Sequence, residues 1–169
     1  MTTVDYAQAL TGLHAQLERL EATVAVAESL TGGLVTAALT ATPGASVTVR
    51  GGVIVYATDL KASIAGVPEQ LLRERGPVDP DVALALAHGV RRRLGATYGL
   101  AVTGVAGPDQ QGGQPVGRVY LAVVGPADQT VAERDLAGDR AAISSAAVAA
   151  ALDLLKRECD RAITALRSP

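Results

Sequence analysis

The residues best suited to chemistry are a serine, a lysine and a tyrosine, each beside a turn. Glu28-Ser29-Leu30-Thr31-Gly32-Gly33 lies between an apolar run that starts at Thr23 and an Ala/Leu-rich run that ends at Leu39. The first run has the character of a buried strand, the second that of a helix. A strand that turns straight into a helix leaves the first helical N–H groups unpaired, and these suit a phosphate, a carboxylate or an oxyanion. Ser29 sits at the mouth of that turn. It can be a nucleophile, or Ser29 or Thr31 can be an ordinary helix cap. The stretch alone leaves both readings open.

Two further strand ends add to it. Gly51 to Tyr56 reads as a second buried strand, followed by a short helix from Thr58 to Gly66 with Lys61 in its first turn. Tyr98 to Thr103 reads as a third strand, opening into a glycine- and proline-rich loop from Gly104 to Pro115. If these strands are parallel, Ser29, Tyr56, Lys61 and Thr103 share one edge of the sheet, and the carboxyl ends of parallel strands are where α/β domains bind ligands. A lysine serves as general base only in its neutral form, with a pKa near 7 to 8, about two to three pKa units below an exposed lysine. Burial and the positive end of its own helix both favour that form. The alternatives are a solvated Lys61, a Tyr56 that only packs in the core, and a loop that is a plain connection. Arg140, at a helix start, is misplaced against the dipole and suits an anionic partner or is simply an exposed charge.

The remaining elements must hold these groups in place. Apolar residues at Val4, Ala7, Leu10, Leu13, Leu17 and Leu20 predict an amphipathic helix over 4–20. Thr42-Pro43-Gly44 breaks the helix after Ser29. Pro68 to Gly76 reads as a short helix, and Asp79 caps a longer one running to about Leu94, rich in arginine at its end. Gly117–Val124 and Thr130–Leu136 read as a hairpin of two strands joined at Gly125–Asp128, the second alternating and half exposed at an edge. Asp139-Arg140 opens a long helix to near Leu166. The expected fold class is α/β, a three-layer α/β/α domain around a mixed, mostly parallel sheet of about five strands.

Composition narrows the function. The 169 residues carry a formal net charge of −2, and no basic run exceeds Arg91-Arg92-Arg93, so nucleic acid is not an expected partner. There is no apolar stretch of spanning length and no basic-then-apolar start, which predicts a cytoplasmic protein with no membrane partner. Cys159 is the only cysteine, and His14 and His88 are the only histidines; none has a ligand-spaced partner, so no metal and no cofactor are expected. The amphipathic first helix and alanine-rich last helix leave surface for self-association, and a homo-oligomer, drawn as a dimer, is the expectation.

As an ordered set, Ala27-Glu28-Ser29-Leu30-Thr31-Gly32-Gly33, Pro43-Gly44-Ala45-Ser46, Arg50 to Tyr56 with Lys61, Thr103-Gly104-Val105-Ala106-Gly107-Pro108, Pro115-Val116-Gly117 and Gly138-Asp139-Arg140 resemble the carboxy-terminal domain of the CinA (competence/damage-inducible) family. The match runs from about Thr23 to Leu155, with the helix over 4–20 in front, and implies one such domain over 1–169. Characterised members are nicotinamide-mononucleotide deamidases. The resemblance therefore implies hydrolysis of the nicotinamide carboxamide to the acid and ammonia, in pyridine-nucleotide salvage, without a metal. It implies Ser29 as nucleophile, Lys61 as its base and Tyr56 as an assisting hydroxyl. Thr31, Gly32, Gly33, Thr103, Gly104, Gly107 and Arg140 would bind substrate, the first three through oxyanion-facing N–H groups and Arg140 at the phosphate.

Leu30, Thr103, Gln114 and Ser144 stand where the family commonly has cysteine, serine, lysine and arginine. Pro108-Asp109-Gln110-Gln111 replaces a glycine run. Longer relatives carry an additional nucleotide- or pterin-like amino-terminal domain that these residues do not match. The other function considered is a catalytically silent nucleotide-binding or assembly domain on the same scaffold.

Overall fold

The computed structural model describes residues 3–167, with side chains from residue 10 onward. The expected contacts of Val4 and Ala7 therefore lie outside the described side chains. The sheet centres on β1 (Val24–Glu28), buried at every position, which pairs in parallel with β2 (Val49–Ile54) and β3 (Tyr98–Gly104). β4 (Arg118–Val124) runs antiparallel to β3, and β5 (Gln129–Asp135) antiparallel to β4. The strand order is β2-β1-β3-β4-β5. All strands but β4 therefore share one direction, the mixed and mostly parallel sheet that the sequence predicts.

Alternation along the strands feeds two cores. Val24, Val26, Leu100, Val102, Leu121 and Val123 join one side. That side is covered by α1 (Thr3–Arg19), α2 (Leu34–Thr40) and α7 (Arg140–Ala165). Ala25, Ala27, Ala101 and Ala122 face the other side, covered by α4 (Thr58–Ser63), α5 (Glu69–Arg75) and α6 (Pro80–Arg93). The small residues on this second face let α6 lie close to the sheet: a Cβ on Gly99 would come within 2.0 Å of the Ala87 carbonyl oxygen. Fully burying a leucine such as Leu100 or Leu121 stabilises the fold by about 1.5–3 kcal/mol relative to exposure.

Local signals explain most boundaries. The side chains of Asp79 and Asp139 each accept a hydrogen bond from a first-turn N–H, at 2.8 and 2.9 Å, starting α6 and α7. The turn at 125–128 closes through the Gly125 N–H donating to the Asp128 carbonyl at 2.8 Å, and β5 alternates in exposure as an edge strand should.

Three expectations need correction. The second strand is not buried: β2 is the opposite edge, partly or fully exposed along its length, and it ends before Tyr56. An unforeseen turn of helix, α3 (Ala45–Thr48), follows Gly44, whose φ of 98° reverses the chain. The helix carrying Lys61 is shorter than expected, starting at Thr58 with Ala57 at its cap and ending at Ser63, so Lys61 lies in its last turn. Among the described residues no helix is long and apolar enough to cross a membrane.

Candidate functional site

Strand alternation decides what the two residues at the end of β1 do. Glu28 continues the Val24 and Val26 face and points under α2, whereas Ser29 turns to the face of α4. Glu28 is fully buried and accepts five hydrogen bonds, from the Gly33, Val35 and Thr36 N–H groups and the Thr31 and Thr36 hydroxyls, at 2.7–3.0 Å. The anion site expected at the start of α2 is thus filled by the chain's own carboxylate. Gly32 donates to the Ser29 carbonyl. Thr31, Gly32 and Gly33 therefore build the loop instead of facing the cavity described below, a correction to their expected role. Among the described residues, the N–H groups of Leu30 and Thr31 meet no acceptor.

On the other face, the Lys61 Nζ lies 3.0 Å from the Ser29 Oγ and donates to the Val55 carbonyl at 2.7 Å. Lys61 is 1% exposed and Ser29 7%. No carboxylate pairs with Lys61 among the described residues, and burial pushes its pKa down from 10.5 to about 8. Desolvation is the cause of the shift. The Val55 carbonyl occupies one N–H of the amine and fixes its direction. A neutral amine so held turns its lone pair to the serine hydroxyl.

Ser29 and Lys61 open into a cavity of about 280 Å³, at the carboxyl ends of β1, β2 and β3. Its wall includes Leu30, Tyr56, Thr103, Arg140 and the segment 104–111. Thr103 is fully buried and donates through its hydroxyl to the Pro77 carbonyl at 2.7 Å, pinning the 77–78 segment to the site. Gly104 admits no side chain, since a Cβ there would lie 2.6 Å from the Arg118 carbonyl oxygen. Gly107 has a φ of 87°, a conformation that suits glycine.

Arg140, the first residue of α7, reaches across the rim. Its guanidinium donates to the Gly107 carbonyl and to the Tyr56 hydroxyl. Tyr56 is 58% exposed, a rim residue and not a core one. One turn along α7, the buried Ser144 donates to the Leu30 carbonyl at 3.0 Å, tying α7 to the peptide that follows the serine.

The expected residues thus divide. Ser29, Lys61, Tyr56, Thr103, Gly104, Gly107 and Arg140 meet at one cavity; Thr31, Gly32 and Gly33 do not. Sequence reasoning missed the self-capping Glu28, although the period of two through Val24 and Val26 pointed it at α2. It also missed Val78, which lines the cavity from a segment without a motif, while Gln110 lines it from the glycine- and proline-rich loop after β3. Neither histidine takes part: His14 is buried between the Thr48 hydroxyl and the Leu39 carbonyl, and His88 pairs with Gln129. Burial, with Asp160 and Glu158 nearby, pushes the Cys159 thiol up to about 12. Among the described residues no cluster of His, Cys, Asp and Glu is arranged to hold a metal ion.

Comparison with known proteins agrees with this architecture. The sequence pattern of the family described as CinA C-terminal domain matches residues 7–159. A CinA-like protein of Frankia casuarinae is 52% identical over 141 residues, covering 83% of this chain and 33% of that protein. One from Acidobacterium capsulatum is 49% identical over 144 residues, covering 83% and 34%. The chain thus spans about a third of the length of the curated relatives it matches. Among solved structures, competence/damage inducible protein CihA from Agrobacterium tumefaciens superposes with a TM-score of 0.85 at 34% identity, covering 89% of this chain and 93% of that one. A competence-damaged protein (CinA) superfamily protein from Escherichia coli gives 0.87 at 28% identity, covering 92% of each.

Proposed function

Because this chain belongs to the CinA C-terminal domain family, we propose that it is an amidohydrolase that converts nicotinamide mononucleotide, or a related pyridine nucleotide, to the acid and ammonia. The observation that carries the reading is the buried, uncompensated Lys61 amine 3.0 Å from the Ser29 hydroxyl in an open cavity. A lysine hidden from water without a carboxylate is costly to keep charged, and that cost is what makes it a base near neutral pH.

In this reading Lys61 Nζ takes the Ser29 proton as Oγ attacks the carboxamide carbon, forming a C–O bond and a tetrahedral oxyanion. The Leu30 N–H, which meets no acceptor among the described residues and belongs to a residue lining the cavity, is the donor in the Ser29 loop available to that oxyanion. Collapse breaks the C–N bond, and the Lys61 proton leaves with the amine as ammonia. Water then attacks the ester carbon, giving one proton to Lys61 while its hydroxyl bonds to that carbon; the C–Oγ bond breaks and the Lys61 proton passes to Ser29 Oγ, releasing the acid, so one water is consumed for each ammonia released. Arg140 binds the phosphate at the rim, where Tyr56 holds its guanidinium.

The test is ammonia release from nicotinamide mononucleotide by the purified protein. Ser29→Ala and Lys61→Ala are each expected to lower kcat by about 10³-fold or more. Equal turnover in all three proteins would end this mechanism. Calorimetric binding of the nucleotide without turnover by the wild-type chain would point instead to a silent binding domain.

A further inference from the structure

The opposite end of the sheet carries a second cavity, of about 340 Å³, between the 125–128 turn and the last turns of α7. From its chemistry we propose that it is a small-molecule site separate from the Ser29 cavity, for a ligand with one ammonium-type cation on a compact apolar body.

Leu20, Ala22, Val123, Pro126, Ala162 and Leu166 give it apolar walls. Two buried polar side chains break that wall. Glu158 is 6% exposed; its Oε1 takes Arg161 at 2.7 Å, while its Oε2 has no donor among the described residues. Tyr98 is 5% exposed, and its hydroxyl has no partner among the described residues. Both atoms are open to the solvent of the cavity, so a ligand's donors can replace water there without breaking a contact within the chain.

The charge selects the ligand. Glu158 and Asp128 line the cavity with Arg161 as its one cation, and Arg161 is already engaged with Glu158 and with the Thr130 hydroxyl at 3.4 Å. Burial, followed by Cys159 and the carboxylates of Glu158 and Asp128, holds the Tyr98 hydroxyl above the ordinary tyrosine range. A ligand anion would meet two carboxylates; an ammonium group would supply the donor that Oε2 lacks. Gly125 keeps the space open, since a Cβ there would lie 2.7 Å from the Tyr98 ring.

Phenethylammonium and phenylacetate share a body and differ in charge. Titrated into the ¹⁵N-labelled chain, the cation is expected to shift the amides of 125–128 and 158–165 saturably, leaving those of Ser29 and Lys61 in place. The anion is expected to shift none of them. Glu158→Gln should weaken cation binding about tenfold or more, the loss of one charge-assisted contact; Asp128→Asn should weaken it less and serves if the first variant does not fold. Non-saturating shifts, equal binding of phenylacetate, or unchanged affinity in the folded carboxylate variant overturn the proposal. Because no readout involves turnover, its failure is distinguishable from failure of the amidohydrolase reading.

Discussion

The buried amine of Lys61 has consequences for both rate and stability, and their signs can be worked out. Proton abstraction needs the neutral form, and burial brings its pKa to about 8. Log kcat/KM for amide hydrolysis should therefore rise with a slope near one per pH unit below about 8 and level off above it. A profile flat from pH 6 to 9 would exclude Lys61 as base. The drop from 10.5 to about 8 corresponds to roughly 3 kcal/mol against the charged form. Below pH 8 that cost is fully present. Between 8 and 10.5 the unfolded chain still holds the proton that the folded one has released, so stability rises with pH across this window. The unfolding free energy of wild type relative to Lys61→Met should thus move by up to about 3 kcal/mol in favour of wild type from pH 7 to pH 10.5, whatever its offset. Denaturant titrations at both pH values measure it. The sequence placed Lys61 at the right junction. It could not show the amine to be buried, because that depends on how α4 packs under the end of β2, a tertiary matter.

Among the helices and strands, legibility followed the strength of the local chemical signal. Asp79 and Asp139 announced α6 and α7 because a side-chain cap is written in the sequence. β2 was misjudged as buried because its apolar residues speak for a strand but not for its place at the sheet edge. The start of α2 was misjudged for another reason: Gly32 and Gly33 signalled a helix entry with free N–H groups, while the anion that fills it stood only a few residues earlier. Glu28 now makes that loop rigid. In Glu28→Gln the amide NH₂ must face either the Thr36 N–H or those of Gly33 and Val35; hydroxyls can turn to accept, but backbone N–H groups cannot. The expected cost is about 2–4 kcal/mol in chemical denaturation, with faster hydrogen exchange at Gly33, Val35 and Thr36. An unchanged midpoint would mean that the carboxylate does not hold the loop.

The cavity as a whole draws on both helical layers, which explains why no single stretch of sequence discloses it. Lys61 comes from the α4 side, Ser29 from the sheet and Arg140 from α7 on the far side, and all three meet only where β1, β2 and β3 end. The three parallel strands made that meeting predictable, whereas Val78 and Gln110 arrive on connections whose path no periodicity encodes. Arg140 joins the layers by donating to the Gly107 carbonyl and the Tyr56 hydroxyl, with further N–H donors of its fork left for a ligand. If it holds the phosphate of a mononucleotide, its contribution should appear only with substrates that carry that group. Arg140→Ala should then lower kcat/KM for nicotinamide mononucleotide about 10- to 100-fold, the worth of one charge-assisted contact, mainly through KM. The same substitution should leave hydrolysis of the phosphate-free nicotinamide riboside within about two-fold of wild type, because the Lys61–Ser29 pair does not touch Arg140. Equal losses on both substrates would assign Arg140 to holding the cavity mouth together, and the phosphate would have to be met elsewhere.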